Sequence, residues 1–174
     1  MTVVGGQRDR LVHDSLYWMI KDSLTDLGWF DPARKIKPVS ILAEPVPEDT
    51  KLQPNIIAVS DESTMMDEVE MGRGDLKEYR WEYWVDIYGE SLPIAKHLAG
   101  DVRAILEGKI NSIGRSRPYV TVYDYALATP MEIFECEIDN IQYDRSRFYT
   151  KPFQKYWYML RFEVIDIYGN EDSA

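Results

Sequence analysis

The chain has 174 residues, a net charge of −10, 45% apolar and 29% charged residues, which is the balance of an ordinary folded domain with its own core. Thirty Asp and Glu against twenty Lys and Arg argue against broad nucleic-acid binding, which needs clustered cations facing phosphates. A single cysteine, Cys136, excludes an intrachain disulfide; with no run of 18 apolar residues and no signal-type segment after Met1, the chain reads as neither membrane-spanning nor secreted through a cleaved leader.

Residues 1–174 read as one domain whose first seven residues form a flexible tail. Over residues 8–27, Val12, Leu16, Met19, Ile20, Leu24 and Leu27 recur at intervals of three and four, with Asp14, Lys21, Asp22, Thr25 and Asp26 on the other side. That spacing predicts an amphipathic helix, ended by Gly28. Trp29, Phe30 and Pro32 lead towards a short strand at 39–44. Pro38, Pro45, Pro47 and Pro54 keep the strands of this region short or at an edge. Residues 55–60, NIIAVS, read as a buried strand.

Residues 61–74, DESTMMDEVEMGRG, break the pattern with dense carboxylates, three methionines and two glycines. Two readings stand for this mobile acidic loop. One is a solvated charge run; the other is a contact surface, because Met65, Met66, Val69 and Met71 are costly to leave in water and methionine suits adaptable interfaces.

The stretch 76–109 organises the rest. Trp81, Tyr83, Val85 and Ile87 fall on one face of a strand, and Arg80, Glu82, Asp86 and Tyr88 on the other. After a turn, Ser91 stands at the N-cap position and Pro93 in the first helical turn. Ile94, Ala95, Leu98, Ala99, Val102, Ile105 and Leu106 then form a helical stripe, closed by Gly108.

A basic turn follows, with Lys109, Arg115 and Arg117 around Gly114. Residues 119–128 read as a strand. In the next, Phe134, Cys136 and Ile138 alternate with Glu135, Glu137 and Asp139. Residues 140–147 read as a turn carrying Arg145 and Arg147. The last strand, 155–169, sets Leu160, Phe162 and Val164 on one face, then Ile165 and Ile167 in the opposite phase, which predicts a bulge near Glu163–Ile165. The run from Asp86 to Glu90 returns as Asp166 to Asn170. It closes two strands that suit neighbouring places in a sheet, without the extended match of a duplication. These elements make an α+β fold: a mixed, mostly antiparallel sheet of about five to six strands with two amphipathic helices packed on it.

Catalytic signals are weak. His13 and His97 lie on polar helix sides, and His97 with Asp101 has the i, i+4 spacing of two ligands on one face but no further His or Cys near it. Cys136 lies on a buried strand face, where a small apolar role is the ordinary one. No nucleophile elbow, P-loop or dinucleotide fingerprint is present. Asp61 with Asp75-Leu-Lys77 loosely imitates a Mg²⁺-dependent nuclease set, a pattern that chance produces often. The reading therefore assigns no catalytic residue, cofactor or metal and takes the chain as a non-enzyme.

In the order of its elements over residues 8–169, the chain resembles the tail terminator proteins of long-tailed bacteriophages. The resemblance rests on the strand NIIAVSDE (55–62), the long loop after it, and the strand-turn-helix RWEYWVDIYGESLPIAKHLAGDVRAILEG (80–108). It implies a helix packed on one face of a mixed sheet and a six-membered ring in the virion neck, assembled in the bacterial cytoplasm. In that family the ring caps the head-proximal end of the tail tube, stops its polymerisation and meets the head-completion proteins. A neck or head-completion (connector) protein of related fold is the nearest alternative. Closed rings need two different, complementary patches. Candidates here are the loop side chains Met65, Met66, Val69 and Met71 against the basic Arg115, Arg117, Arg145 and Arg147. Six copies at −10 each carry −60, so DNA is expected to pass a carboxylate-lined bore without specific binding.

Overall fold

The computed structural model describes residues 5–33, 39–44, 55–63, 69–71, 76–110, 118–149 and 155–169. Its elements are α1 (Gly5–Asp26), β1 (Val39–Leu42), β2 (Asn55–Ser63), β3 (Val69–Met71), β4 (Leu76–Gly89), α2 (Leu92–Leu106), β5 (Tyr119–Asp124), β6 (Met131–Tyr149) and β7 (Lys155–Gly169). Six strands follow the order β1-β2-β4-β7-β6-β5, with only β1 and β2 parallel; short β3 pairs with β4 beyond the end of β2. This is the expected α+β architecture, with both helices on one face of a curled, mostly antiparallel sheet.

The centre of the sheet is the antiparallel pair β4 and β7, in register without interruption from Leu76–Gly169 to Gly89–Tyr156. Trp81, Tyr83, Val85 and Ile87 face inward, as their spacing predicts, and all are buried. They meet Leu160, Phe162 and Val164 of β7, Val120 and Val122 of β5, and Cys136 and Ile138 of β6. From α1 come Val12, Leu16, Ile20 and Leu24; from α2 come Leu98, Ala99, Val102, Ile105 and Leu106. A continuous core of this kind is the main source of stability, at about 1.5–3 kcal/mol for each large apolar side chain withdrawn from water.

Both helices end in one way. Gly28 and Gly108 adopt φ of +73° and +68°, which glycine takes without strain. The Gly28 and Trp29 N–H groups donate back to Thr25 and Leu24, and those of Gly108 and Lys109 to Ile105 and Ala104, so carbonyls that lack helical partners are satisfied. At its other end α2 begins after Ser91, whose backbone is extended as an N-cap requires, although its hydroxyl makes no capping bond.

Besides the strand read over 119–128, which ends at Asp124 before a turn, four features differ from the sequence reading. First, α1 begins at Gly5, inside the stretch read as a tail. Second, β7 carries no bulge near Glu163–Ile165: the strand keeps its phase and turns Asp166 into the inward face. There Asp166 accepts from Arg8 of α1 at 2.5 Å, while the Arg8 guanidinium lies over the Tyr79 and Phe134 rings at 5.6 and 5.0 Å. Ile165 therefore points to the outer face. Third, residues 140–147 do not turn; they continue β6, and the extra residues sit there as irregularities between Asp139 and Gln142 and between Asp144 and Arg147. Asn140 has φ +52°, a left-handed backbone that asparagine tolerates better than most residues, and it lets the strand absorb an inserted residue. Fourth, the 61–74 stretch is partly strand, because β2 runs on to Ser63 and β3 lies within it.

Polar side chains of α1 also tie the helix to the sheet. The Trp81 indole donates to the Asp9 carboxylate at 2.5 Å. His13 Nε2 lies 3.2 Å from the Val59 carbonyl oxygen of β2, and the buried Ser15 hydroxyl accepts from the Tyr123 N–H of β5 at 3.0 Å. One helix thus reaches backbone groups on both flanks of the curl. His13, expected on a solvated side, is held by the sheet.

Candidate protein–protein interface

The residues picked from sequence as contact points divide into two sets. Met65, Met66, Arg115 and Arg117 lie outside the described residues. Val69 and Met71 occupy β3 opposite Glu78 and Leu76, Arg147 pairs with Trp157, and Arg145 sits in the second irregularity of β6. Val69 and Met71 thus lie beside β4 on the flank away from β7, and Arg145 and Arg147 lie on β6 beyond β7. Within one chain the register does not bring Val69 or Met71 against Arg145 or Arg147.

The outer sheet face, opposite both helices, is the surface that the sequence left unassigned. Because β4 and β7 are in unbroken register, their outward side chains form straight cross-strand rows: Tyr88 beside Trp157, Asp86 beside Met159, Trp84 beside Arg161, Glu82 beside Glu163 and Arg80 beside Ile165. Tyr88 and Trp157 stack with centroids 6.3 Å apart, and the Trp157 indole donates to Asp86 at 2.7 Å. Arg161 lies over the Trp84 ring at 5.6 Å and bonds Glu82. Arg80 reaches Glu163 at 3.1 Å, as does Asn140 at 3.0 Å. Ion pairs on such an open face contribute little stability, roughly 0–1 kcal/mol each. Their main effect is to fix orientation.

Charge on this face is one-sided. Glu82, Glu163 and Asp139 form one row across β4, β7 and β6, and exposed Glu135 and Glu137 extend the carboxylates along β6. Like charges opposite one another repel, and here Arg80, Arg161 and Asn140 offset the repulsion only in part. The Trp84 Nε1 is buried and meets no acceptor among the described residues. Such a group costs about 1–3 kcal/mol relative to a bonded one. Trp, Tyr, Met and Arg beside carboxylates are residue types typical of contact surfaces, whose recognition uses aromatic anchors within a polar rim.

The chemistry-bearing residues weighed from sequence have structural partners. Asp101 accepts from the Trp29 indole at 2.7 Å, and His97, largely exposed, lies 3.6 Å from the same carboxylate. Cys136 is fully buried, and burial pushes its thiol pKa up, away from the thiolate that nucleophiles need. Asp75 lies outside the described residues. Asp61 pairs with Tyr83 and Lys77 stands six residues along the same strand, so their backbones are about 20 Å apart, too far for one metal cage. Among the described residues no group of three or more His, Cys, Asp or Glu is placed to hold a metal ion. A depression of about 450 Å³ is lined by Glu107, Pro118, Ile138, Asp139, Asn140, Ile141 and Gln142. Its Glu107 is engaged by Lys109 at 2.5 Å and Arg103 at 2.6 Å, which hold its pKa below the usual carboxylate value. No described helix is long and apolar enough to cross a membrane. Comparison with protein-family models and with curated proteins finds no match for this chain.

Proposed function

We propose that the protein is a structural subunit of a phage neck: a tail terminator that closes into a ring, caps the tail tube and joins it to the head-completion proteins. The observation that carries this reading is the outer sheet face, where Trp84, Tyr88, Trp157 and Met159 front a surface that neither helix covers. Aromatic and methionine side chains in one patch have the composition of a contact surface, and their shared register gives a rigid platform for a neighbouring neck or tube protein.

The carboxylate surplus supports the same reading. At −10 per chain a closed ring repels a phosphate backbone, so DNA slides past it without being held. The α+β architecture, with the strand-turn-helix at its centre, is compatible with the resemblance drawn from the sequence.

The direct test mixes purified protein with tube subunits under conditions in which the tube polymerises. Rings at one end of tubes of limited length are the expected result. Tubes that grow unchecked beside free monomers overturn the reading, and monomers that bind the head connector instead indicate a head-completion subunit.

A further inference from the structure

A second surface on this chain, distinct from the outer sheet face, has the chemistry of a cation receptor. On α1, Asp14, Tyr17, Trp18, Lys21 and Asp22 follow one another at helical spacing, away from the buried stripe of Val12, Leu16, Ile20 and Leu24. The Tyr17 and Trp18 rings meet edge to face at 5.4 Å, and Trp18 stacks at 5.8 Å on Tyr125, just after β5. Beyond it, Leu127 and Met131 are 46% and 53% exposed. The rings already face one cation: Lys21 Nζ lies 4.2 Å from the Trp18 centroid and 5.5 Å from that of Tyr17. Asp14 and Asp22 stand one helical turn to either side of Trp18, and burial, followed by the charges of Asp22, Tyr123 and Asp14, pushes the Tyr125 phenol up to about 12. Aromatic faces within a carboxylate rim suit a guanidinium or ammonium on an aliphatic stem.

In a chain of net charge −10, residues 109–117 (KINSIGRSR) carry three cations, two isoleucines and no carboxylate. They lead into β5 at Tyr119. The aromatic patch lies beyond Asp124 at the other end of that strand, six residues or about 20 Å away. An acidic aromatic patch and a basic stretch at opposite ends of one element are complementary, so one copy can present each of them to a different neighbour. They suit head-to-tail contact, which closes rings.

We infer that the Trp18–Tyr125 patch of one copy receives the basic 109–117 stretch of the next, with Arg115 or Arg117 lying against the rings and paired with Asp14 and Asp22. This inference rests on the ring reading above and specifies which surfaces close it.

Charge reversal in the full-length protein tests it, with particle mass followed by light scattering over a concentration series and folding checked by circular dichroism. Asp14→Lys with Asp22→Lys, and separately Arg115→Glu with Arg117→Glu, are each expected to raise the concentration needed for assembly at least tenfold. All four changes together are expected to restore assembly. Trp18→Ala, with both charges kept, is expected to weaken it by a similar factor. Rings that persist in both reversed variants overturn the inference and leave the ring reading standing, as does a fourfold variant that fails to assemble although it folds. A wild-type protein that stays monomeric at every concentration, alone and with tube subunits, overturns both.

Discussion

Gly89, at the end of β4, tests whether the strand-turn-helix is a packed unit. A methyl group built there would lie 2.6 Å from Ala95 Cβ and 2.7 Å from Ala95 Cα and N. Carbon atoms settle at about 3.5–4.0 Å, so Gly89→Ala must push the end of β4 and the first turn of α2 apart by roughly 1 Å. Ala95 is fully buried and α2 is seated on the core, so little room exists to yield. Overpacking of this kind costs about 1–3 kcal/mol; with two backbone atoms among the three contacts, we expect about 2 kcal/mol. In a chain of this size that lowers the thermal midpoint by about 4–8 °C. Adding Ala95→Gly removes only one of the three contacts and puts glycine into a helix, itself a loss of about 1 kcal/mol, so it should not rescue the variant. Thermal and urea unfolding followed by circular dichroism measure the change. A midpoint equal to wild type within error would refute the close approach and the register that creates it.

Three further outcomes follow from other contacts. Arg8→Met strands a buried carboxylate and is expected to lose about 3 kcal/mol at neutral pH, while Arg8→Met with Asp166→Leu regains most of it. Burial, opposed by Arg8, already raises the Asp166 pKa above its ordinary 3.8. A carboxyl raised in the folded state stabilises while protonated, and that contribution is lost as pH rises through its folded pKa; the Arg8→Met deficit in urea midpoint should therefore shrink on acidification. Ser15→Ala leaves the Tyr123 N–H without its acceptor, and a loss of about 1–3 kcal/mol, with faster amide exchange at Tyr123, is expected. Cys136 should ignore an aromatic disulfide reagent in the native protein and react fully in denaturant; rapid native labelling would contradict its burial.

Where local periodicity and local chemistry agree, the chain was readable. The inward face of β4, the buried stripe of α2 and the glycines ending both helices are set by neighbours within a turn or a strand. The last strand misleads because Ile165 and Ile167 look like a core series while Asp166 looks solvated. Its partner Arg8 lies 158 residues earlier, and no window along the chain reveals it. Asn140 reads as a turn residue because asparagine accepts a left-handed backbone, which also serves an inserted residue within a strand. Nor does charge locate His13, whose Val59 contact exists only once the sheet curls. For the contact surfaces, the Met-bearing loop drew attention by composition. Tyr17 and Trp18, two aromatic residues off the apolar stripe of α1, are an equally visible signal in the sequence. On the outer face of β4 the spacing gives Arg80, Glu82, Asp86 and Tyr88 but leaves Trp84 unnoticed, and the rows with Trp157 and Met159 require the pairing with β7.

Self-association is the property on which the functional account stands. Light scattering of the purified full-length protein measures it most directly, against a chain mass of 20.3 kDa. A closed ring of six predicts one discrete species of about 122 kDa, six times the chain mass, which does not grow further as concentration rises. A mass that stays at one chain, or one that climbs without limit into open filaments, would contradict it.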